Sequence, residues 1–358
     1  MQFAFTEQQT EFRAAVRQVL TKVCTPDALR AAFDTPAART ERWTTLAEMG
    51  VVGLTVPEPQ GGLGLDLLDL VPLLEEAGRS ALPEPLIETT ALAAPLLAAF
   101  ESGQAVDWLE RIASGEVTAA VAPVDVISRS VGSTAGEAAV PAAVGADLYI
   151  LSSASGVHAV PSTDVTVTPV PSLDPTRRLG TIDWEPTTTT LIASGEDARE
   201  ALAHLADRAS VATAAELLGL ADRMISIAAA YAKERNQFGK PIGSFQAVKH
   251  LLAGAQVKLE FARPAVYGAA WSLGQVELAG SPSGSRGASL AKAYASDAAT
   301  EAARVSLQVH GAIGYTWECD LHLYLKRAWA LAESWGSSAD HRSRILASLV
   351  DELHQTQA

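Results

Sequence analysis

The stretch "RNQFGKPIGSFQAVKHLLA", Arg235 to Ala253, decides how this chain is read. It joins the end of one helical pattern to the start of another. Arg235 is a fixed cation, Phe238 an aromatic ring three residues on, and after a Gly-Lys-Pro turn a new helix presents Gln246 in its first turn. A guanidinium, an aromatic ring and the backbone donors of a helix start suit a pyrophosphate and its adenine. As composition alone, however, a polar turn between two bundle helices usually carries no ligand, so the surrounding sequence has to decide.

Upstream, apolar residues at helical spacing (Leu217, Leu220, Met224, Ala228, Tyr231) predict a helix from about Ala209 to Arg235. Downstream, a helix starting at Ser244 carries Val248, Leu251, Leu252 and Ala255, with Pro264 expected to kink or interrupt it. The Gly- and Ser-rich "AGSPSGSRG" reads as a flexible loop, followed by a helix with Leu290, Tyr294, Ala298 and Val305 in register. The region from Thr118 to Ile192 has a different rhythm: "ADLYILSS", "GVHAVPS", "DVTVTPV" and "GTIDWEP" are short strands of a small sheet or barrel. From Thr6 to about Val117 the pattern is helical again, with a capping box of Thr6 and Gln9 and with Gly50 and Gly78 as helix stops. The glycines of "VVGLTVPEPQGGLGLD" neither follow a strand nor open a helix, so they are not a dinucleotide fingerprint. Helices, a small β region and a helical bundle, in that order and with no alternating strand–helix series, argue against a doubly wound sheet or an α/β barrel. The fold class is mainly α with a small β domain, divided as 1–117, 118–193 and 194–358.

Composition narrows the ligands. With 48% apolar and 19% charged residues the chain is a folded globular protein, and a net charge of −14 argues against nucleic acid or an anionic membrane surface as a partner. The start "MQFAFTEQQTEF" has no signal-peptide pattern and no apolar run is long enough to span a membrane, so a cytoplasmic location is expected. Cys24 and Cys319 lie too far apart for a metal cluster or a disulfide framework.

A second segment, "LQVHGAIGYTWECDLHLYLKRAWAL", Leu307 to Leu331, ends a helix at Gln308 and allows close backbone approach at Gly311 and Gly314. His310 and His322 have no other ligand at suitable spacing and are read as structural.

Taken in order, "AEMGVVGLTVPEPQGGLGLD", "RNQFGKPIGSFQ" and "QVHGAIGYTWE" make the chain resemble an acyl-CoA dehydrogenase over nearly its whole length. The resemblance implies an N-terminal helical domain, a middle β barrel and a C-terminal four-helix bundle, assembled as a dimer of dimers around FAD. It also implies oxidation of an acyl-CoA thioester to the 2-enoyl-CoA. In that chemistry a carboxylate takes the α proton, the β hydrogen leaves as hydride to the flavin, and the electrons pass to an electron-transferring flavoprotein or another acceptor. Carried over by position, Arg235, Phe238 and Gln246 match residues holding the FAD pyrophosphate and adenine, and Gln308 and Gly311 match the segment covering the same end. Ala312 stands where the family has a second glycine. The flavin so held would have its reactive ring in the neighbouring subunit.

The departures concern the base. Counted from Gly314, the family's usual catalytic Glu falls at Trp335, in "LAESWGSSADHR" (Leu331 to Arg342), and its alternative location falls at Ala209. The family's Thr-Glu-Pro and Trp-Ile-Thr segments, which bind the flavin ring and ribityl chain, are missing from a shortened middle domain. Glu216, Glu333 and Asp340 are the remaining carboxylate candidates, though Glu216 lies about 10 Å along the helix from Ala209. These features resemble the short, base-less subunit of bacterial α2β2 acyl-CoA dehydrogenases of steroid side-chain degradation, whose homologous partner supplies the Glu. The alternatives are a self-sufficient homotetramer with a relocated base, a structural subunit without flavin, and a flavin monooxygenase or nitroalkane oxidase on the same fold.

Overall fold

The computed structural model describes residues 4–37, 39–100, 103–122, 139–275 and 282–357. The N-terminal helices are α1 (Glu7–Val23), α2 (Pro26–Asp34), α3 (Glu41–Glu48), α4 (Leu67–Arg79), α5 (Ala94–Ala98) and α6 (Gly103–Ala113). A buried π-helical turn, Ile87–Ala93, runs directly into α5. The capping box at α1 forms as the sequence predicts: Gln9 N donates to Thr6 Oγ1 at 3.2 Å and Thr6 N to Gln9 Oε1 at 2.8 Å. Gly50 ends α3 with φ +79°, but Gly78 does not end α4. It lies inside that helix, where an added Cβ would sit 1.9 Å from Glu216 O. Its role is to let two helices cross closely, a requirement set by a partner far along the chain.

The middle segment contains β1 (Ala119–Val121), β2 (Leu148–Ser153), β3 (Gly156–Pro161), β4 (Val165–Pro169), β5 (Gly180–Trp184) and β6 (Leu191–Ala193). Its strands form a four-stranded sheet, β1-β2-β3-β6, and a β4-β5 ladder, and an isolated antiparallel bridge pairs Val140 with Gly180 of β5. The expected barrel is therefore present, among the described residues, as two open ladders. They share a small core in which Val140, Tyr149, Leu151 and Val160 are buried and Val167, Ile182 and Trp184 pack against them.

The bundle comprises α7 (Gly195–Glu234), α8 (Gln246–Leu273), α9 (Pro282–His310) and α10 (Leu321–Glu333), with α11 (Ser338–Gln357) against α9. A two-residue ladder, β7 (Asn236–Gln237) with β8 (Lys240–Pro241), joins α7 to α8. α7 begins well before the expected Ala209. Just before that position the helix is held by tertiary contacts: Arg344 donates to Asp207 at 2.7 Å and Arg208 Nε to Ala91 O at 3.1 Å. Pro264 removes one backbone donor, yet α8 runs through it to Leu273. The predicted loop "AGSPSGSRG" lies in part (279–281) outside the described residues. The rest opens α9 despite poor helix formers, where Ser285 Oγ donates to Asp207 at 2.5 Å and Arg286 pairs with Glu352 at 2.7 Å. On α9 the buried face is Ala288, Ala291, Ala295, Ala298, Ala302 and Val305, while Leu290 and Tyr294 face outward, contrary to the predicted register. Small residues face inward so that α9 can lie close to α7 and α8.

One continuous core runs through the N-terminal helices and the bundle. Within it α4 carries buried Glu75 and Glu76, to which Arg13, Arg17 and Arg263 are paired at 2.6 to 3.1 Å. A buried carboxylate is tolerated only when paired, and these pairs fasten α1 and α8 to α4. No helix of the described residues is long and apolar enough to cross a membrane.

Candidate functional site

α10 stops at Glu333 and α11 starts at Ser338, so the position of the expected base lies in a four-residue turn. Trp335 sits there with φ +58°, followed by Gly336 at +96°. The left-handed region costs a non-glycine residue roughly 1–2 kcal/mol. Burial and pairing hold it: Trp335 is 6% exposed and belongs to the main core. Its carbonyl accepts from buried His341 Nε2 at 2.9 Å. Lys292, fully buried on α9, donates to Ala332 O at 2.8 Å and Gly336 O at 2.9 Å. Burial pushes Lys292 down to about 7 and His341 to about 4.

The three alternative carboxylates do not converge on this turn as free bases. Glu333 is exposed. Asp340 closes a capping box at the start of α11, accepting from Ser337 N at 2.9 Å and Ser337 Oγ at 2.7 Å, and these two bonds hold its carboxyl below the usual range. Glu216 is buried on α7 and accepts from Arg327 Nε at 2.5 Å. Arg327 also reaches Asp174 at 3.3 Å and Thr176 Oγ1 at 3.2 Å, both on the turn before β5. Burial raises the Glu216 carboxyl against the opposing pull of Arg327. Arg327 is raised despite its own burial, because Glu216 and Asp174 hold its charge. From the same turn, buried Arg177 donates to Ser334 Oγ at 2.9 Å, immediately beside Trp335. Ala209 is buried on α7. The two positions expected for a base thus hold a buried indole, Trp335, and a buried alanine, and Glu216 is closed in an ionic cluster with Arg327 and Asp174.

The residues matched to the cofactor are placed in the opposite way. Tyr231, one turn before the end of α7, stacks on His310 with ring centroids 4.5 Å apart. This contact brings the segment after α7 beside the end of α9, so Arg235, Phe238, Gln308 and Gly311 share one end of the bundle. Arg235 and Gln308 are exposed there, as is Gln246 at the start of α8, and none of the three side chains has a hydrogen-bond partner among the described residues. Phe238 is 90% exposed at the tip of the β7-β8 ladder, with φ +54°. A bulky residue in the left-handed region is uncommon, and the Phe238 ring meets Phe245 edge-on with centroids 6.1 Å apart. Gly311 has φ +63° and nothing within 4 Å of where a Cβ would lie. Unpaired donors, an exposed ring and an open backbone fit the pyrophosphate and adenine of FAD.

His310 and His322 each hold a nearby carbonyl through Nδ1, Ser306 O at 2.7 Å and Cys319 O at 2.8 Å. Cys24 is buried and Cys319 half-buried, both free. No group of three metal-binding side chains occurs among the described residues. Sequence reading missed Lys292, Arg327, Arg177 and His341. For Lys292 a signal existed, since it stands among alanines that fall on the buried face of α9.

Comparison with known proteins gives the same assignment. The family model described as acyl-CoA dehydrogenase, N-terminal domain, matches residues 6–116, and that described as the C-terminal domain matches 199–350. The chain is 33% identical to acyl-CoA dehydrogenase IpdE2 of Mycolicibacterium smegmatis, covering 96% of this chain and 99% of that protein. It is 35% identical to acyl-CoA dehydrogenase FadE34 of Mycobacterium tuberculosis over 84% of this chain, which is only 41% of that longer protein. Among solved structures it superposes on a chain of the Tcur3481-Tcur3483 steroid ACAD G363A variant with a TM-score of 0.85 and 27% identity, covering 97% of this chain and 99% of that one. The fold is shared with butyryl-CoA dehydrogenase of Megasphaera elsdenii, TM-score 0.82 at 21% identity over 98% and 100% of the two chains. FAD is the cofactor and oxidation of a CH–CH donor the chemistry that this kinship carries. The chain belongs to the acyl-CoA dehydrogenase family.

Proposed function

We propose that this chain is the base-less subunit of a hetero-oligomeric acyl-CoA dehydrogenase. A homologous subunit supplies the carboxylate and the intact middle domain, and this chain completes that subunit's FAD site. The observation that carries the reading is Trp335, buried in a pinned left-handed turn where the base is expected. Loss of a positioned base costs on the order of 10² to 10⁴ in rate; the pairing of Glu216 with Arg327, the exposure of Glu333 and the capping role of Asp340 support the reading that none replaces it. Arg235, Phe238, Gln246, Gln308 and Gly311 hold the pyrophosphate and adenine end of the partner's FAD. When bound, FAD accepts the hydride from the substrate β carbon. This chain's own contribution is to fix the cofactor's far end and to exclude substrate from its own interior.

Two of the relatives support the two-subunit form. The steroid enzyme carries a pair of names, and FadE34 leaves more than half of its length for a second unit. On the same grounds the substrate is a CoA thioester of a steroid side chain. The complex is an α2β2 cytoplasmic assembly that delivers electrons to an electron-transferring flavoprotein or another acceptor. The three domains are residues 1–117, 118–193 and 194–358.

The test is expression of the chain alone and with a homologous, Glu-bearing partner. Turnover of acyl-CoA is expected only in the complex, with one flavin per heterodimer. Turnover by the chain alone, with one flavin bound per chain, would sink the reading. Arg235→Ala separates it from a purely structural role, because a structural subunit would leave the flavin content of the complex unchanged.

A further inference from the structure

The turn that carries Trp335 is held from three sides by groups that the proposed reaction does not use. Lys292 of α9 has three acceptors, Ala332 O at 2.8 Å, Gly336 O at 2.9 Å and Ser296 Oγ at 3.0 Å, one for each ammonium proton. His341 of α11 donates from Nε2 to Trp335 O at 2.9 Å. Arg177, from the turn before β5, holds Ser334 Oγ at 2.9 Å, and that hydroxyl donates to Ala330 O at 2.8 Å. A fully buried lysine is expensive unless its hydrogen bonds are needed, and a bulky left-handed residue persists only when its surroundings over-determine it. Here the costly lysine and the strained tryptophan sit on one turn, and the lysine's bonds go to the carbonyls that bracket the tryptophan.

We infer that Lys292 is a positioning residue which, with His341, locks the Trp335–Gly336 turn, so that this chain's own pocket is walled permanently, in the free chain and in the complex alike. The inference rests on the reading of Trp335 as the wall of a vacated site, and it adds that the wall is built in rather than gated by the partner.

Acrylamide quenching of Trp335 fluorescence tests it. The Trp335 signal is the difference between the full chain and Trp335→Phe. A matching Trp317→Phe difference supplies an accessible reference, since Trp317 is 65% exposed. The Trp335 component should resist quenching equally in the free chain and in the assembled complex. It should become several-fold more accessible in Lys292→Met, and Lys292→Gln, whose amide still donates two hydrogen bonds, should recover part of the protection. Quenching of Trp335 as ready as that of Trp317, in either state, would overturn the inference. So would a Lys292→Met protein that melts earlier while its Trp335 stays shielded. If Lys292→Met does not fold, Lys292→Gln carries the test of the lysine, with quenching no greater than wild type overturning its role, and the wild-type comparison between free chain and complex still decides whether the wall is permanent. Turnover by the free chain would remove the functional reading without altering the quenching result, so the two failures are distinct.

Discussion

Arg327→Met is the sharpest probe of the closed interior. It removes the guanidinium that bonds Glu216 at 2.5 Å and reaches Asp174 and Thr176, while keeping most of the side-chain volume. Asp174 retains Thr176 N at 3.1 Å and Thr176 Oγ1 at 2.5 Å, so Glu216 is the charge left stranded. Removing one partner of a buried pair costs about 3–5 kcal/mol. The chain's 358 residues, at about 2.1 cal/mol/K each, give an unfolding entropy of roughly 0.75 kcal/mol/K, so the melting temperature should fall by about 4–7 °C. The loss should depend on pH. Without Arg327, burial and the nearby Glu88 charge are opposed only by Arg177, and the folded-state pKa of Glu216 rises further. Between the unfolded and folded values the native state then binds more protons, and stability falls as pH rises through that window. The deficit is accordingly smallest in acid and full at neutral pH, and Glu216→Gln in the same protein should recover part of it. Calorimetric melts of both variants from pH 4.5 to 8 measure this. A shift below about 1 °C, or one that is the same at every pH, would refute the assignment of a buried ionic clamp.

Three further outcomes follow from the geometry. Phe238→Ala should leave the free chain's stability within about 0.5 kcal/mol, because the ring is 90% exposed, yet reduce the flavin content of the complex, read from the absorbance of the purified assembly. Burial pushes Lys292 down to about 7, below its unfolded value near 10.4; the unfolded chain binds the extra proton between these limits, so urea midpoints should rise across that range and stay flat in Lys292→Met. Asp340→Ala should cost about 1 kcal/mol through loss of the capping box while leaving turnover of the complex unchanged, which a relocated base at that position could not do.

Local signals in the sequence were reliable where the chain's own neighbours set the structure. The Thr6–Gln9 box, the four read strands and the turn after Arg235 depend on residues a few positions apart, and they form as read. The start of α7, the place of Gly78 and the outward Leu290 and Tyr294 depend on distant partners, and there the reading failed. The ionic cluster shows why: Arg327 meets Glu216 from 111 residues away and Asp174 from 153. No periodicity encodes such pairings. Trp335 was legible only by counting from Gly314, a position fixed by resemblance. What the count could not supply is the set of buried donors that makes the tryptophan's strained backbone tenable.

Exposure and pairing separate the chain's polar groups into two sets. A group that serves the chain's own interior must have its polar atoms satisfied internally, since unpaired burial is penalised. Glu216, Asp174, Arg327 and Lys292 meet that condition, and each is buried with partners at hydrogen-bond distance. A group that serves a ligand arriving from outside must keep its donors free and its approach open. Arg235, Gln246 and Gln308 are exposed, their side chains without hydrogen-bond partners among the described residues, Phe238 is 90% exposed with its ring edge-on to Phe245, and Gly311 has empty space where a side chain would lie. A self-sufficient enzyme would need members of the first set to be accessible to substrate. In this chain they are buried and internally paired, and the open groups lie at the end of the bundle, where a flavin held mainly by another subunit would meet them.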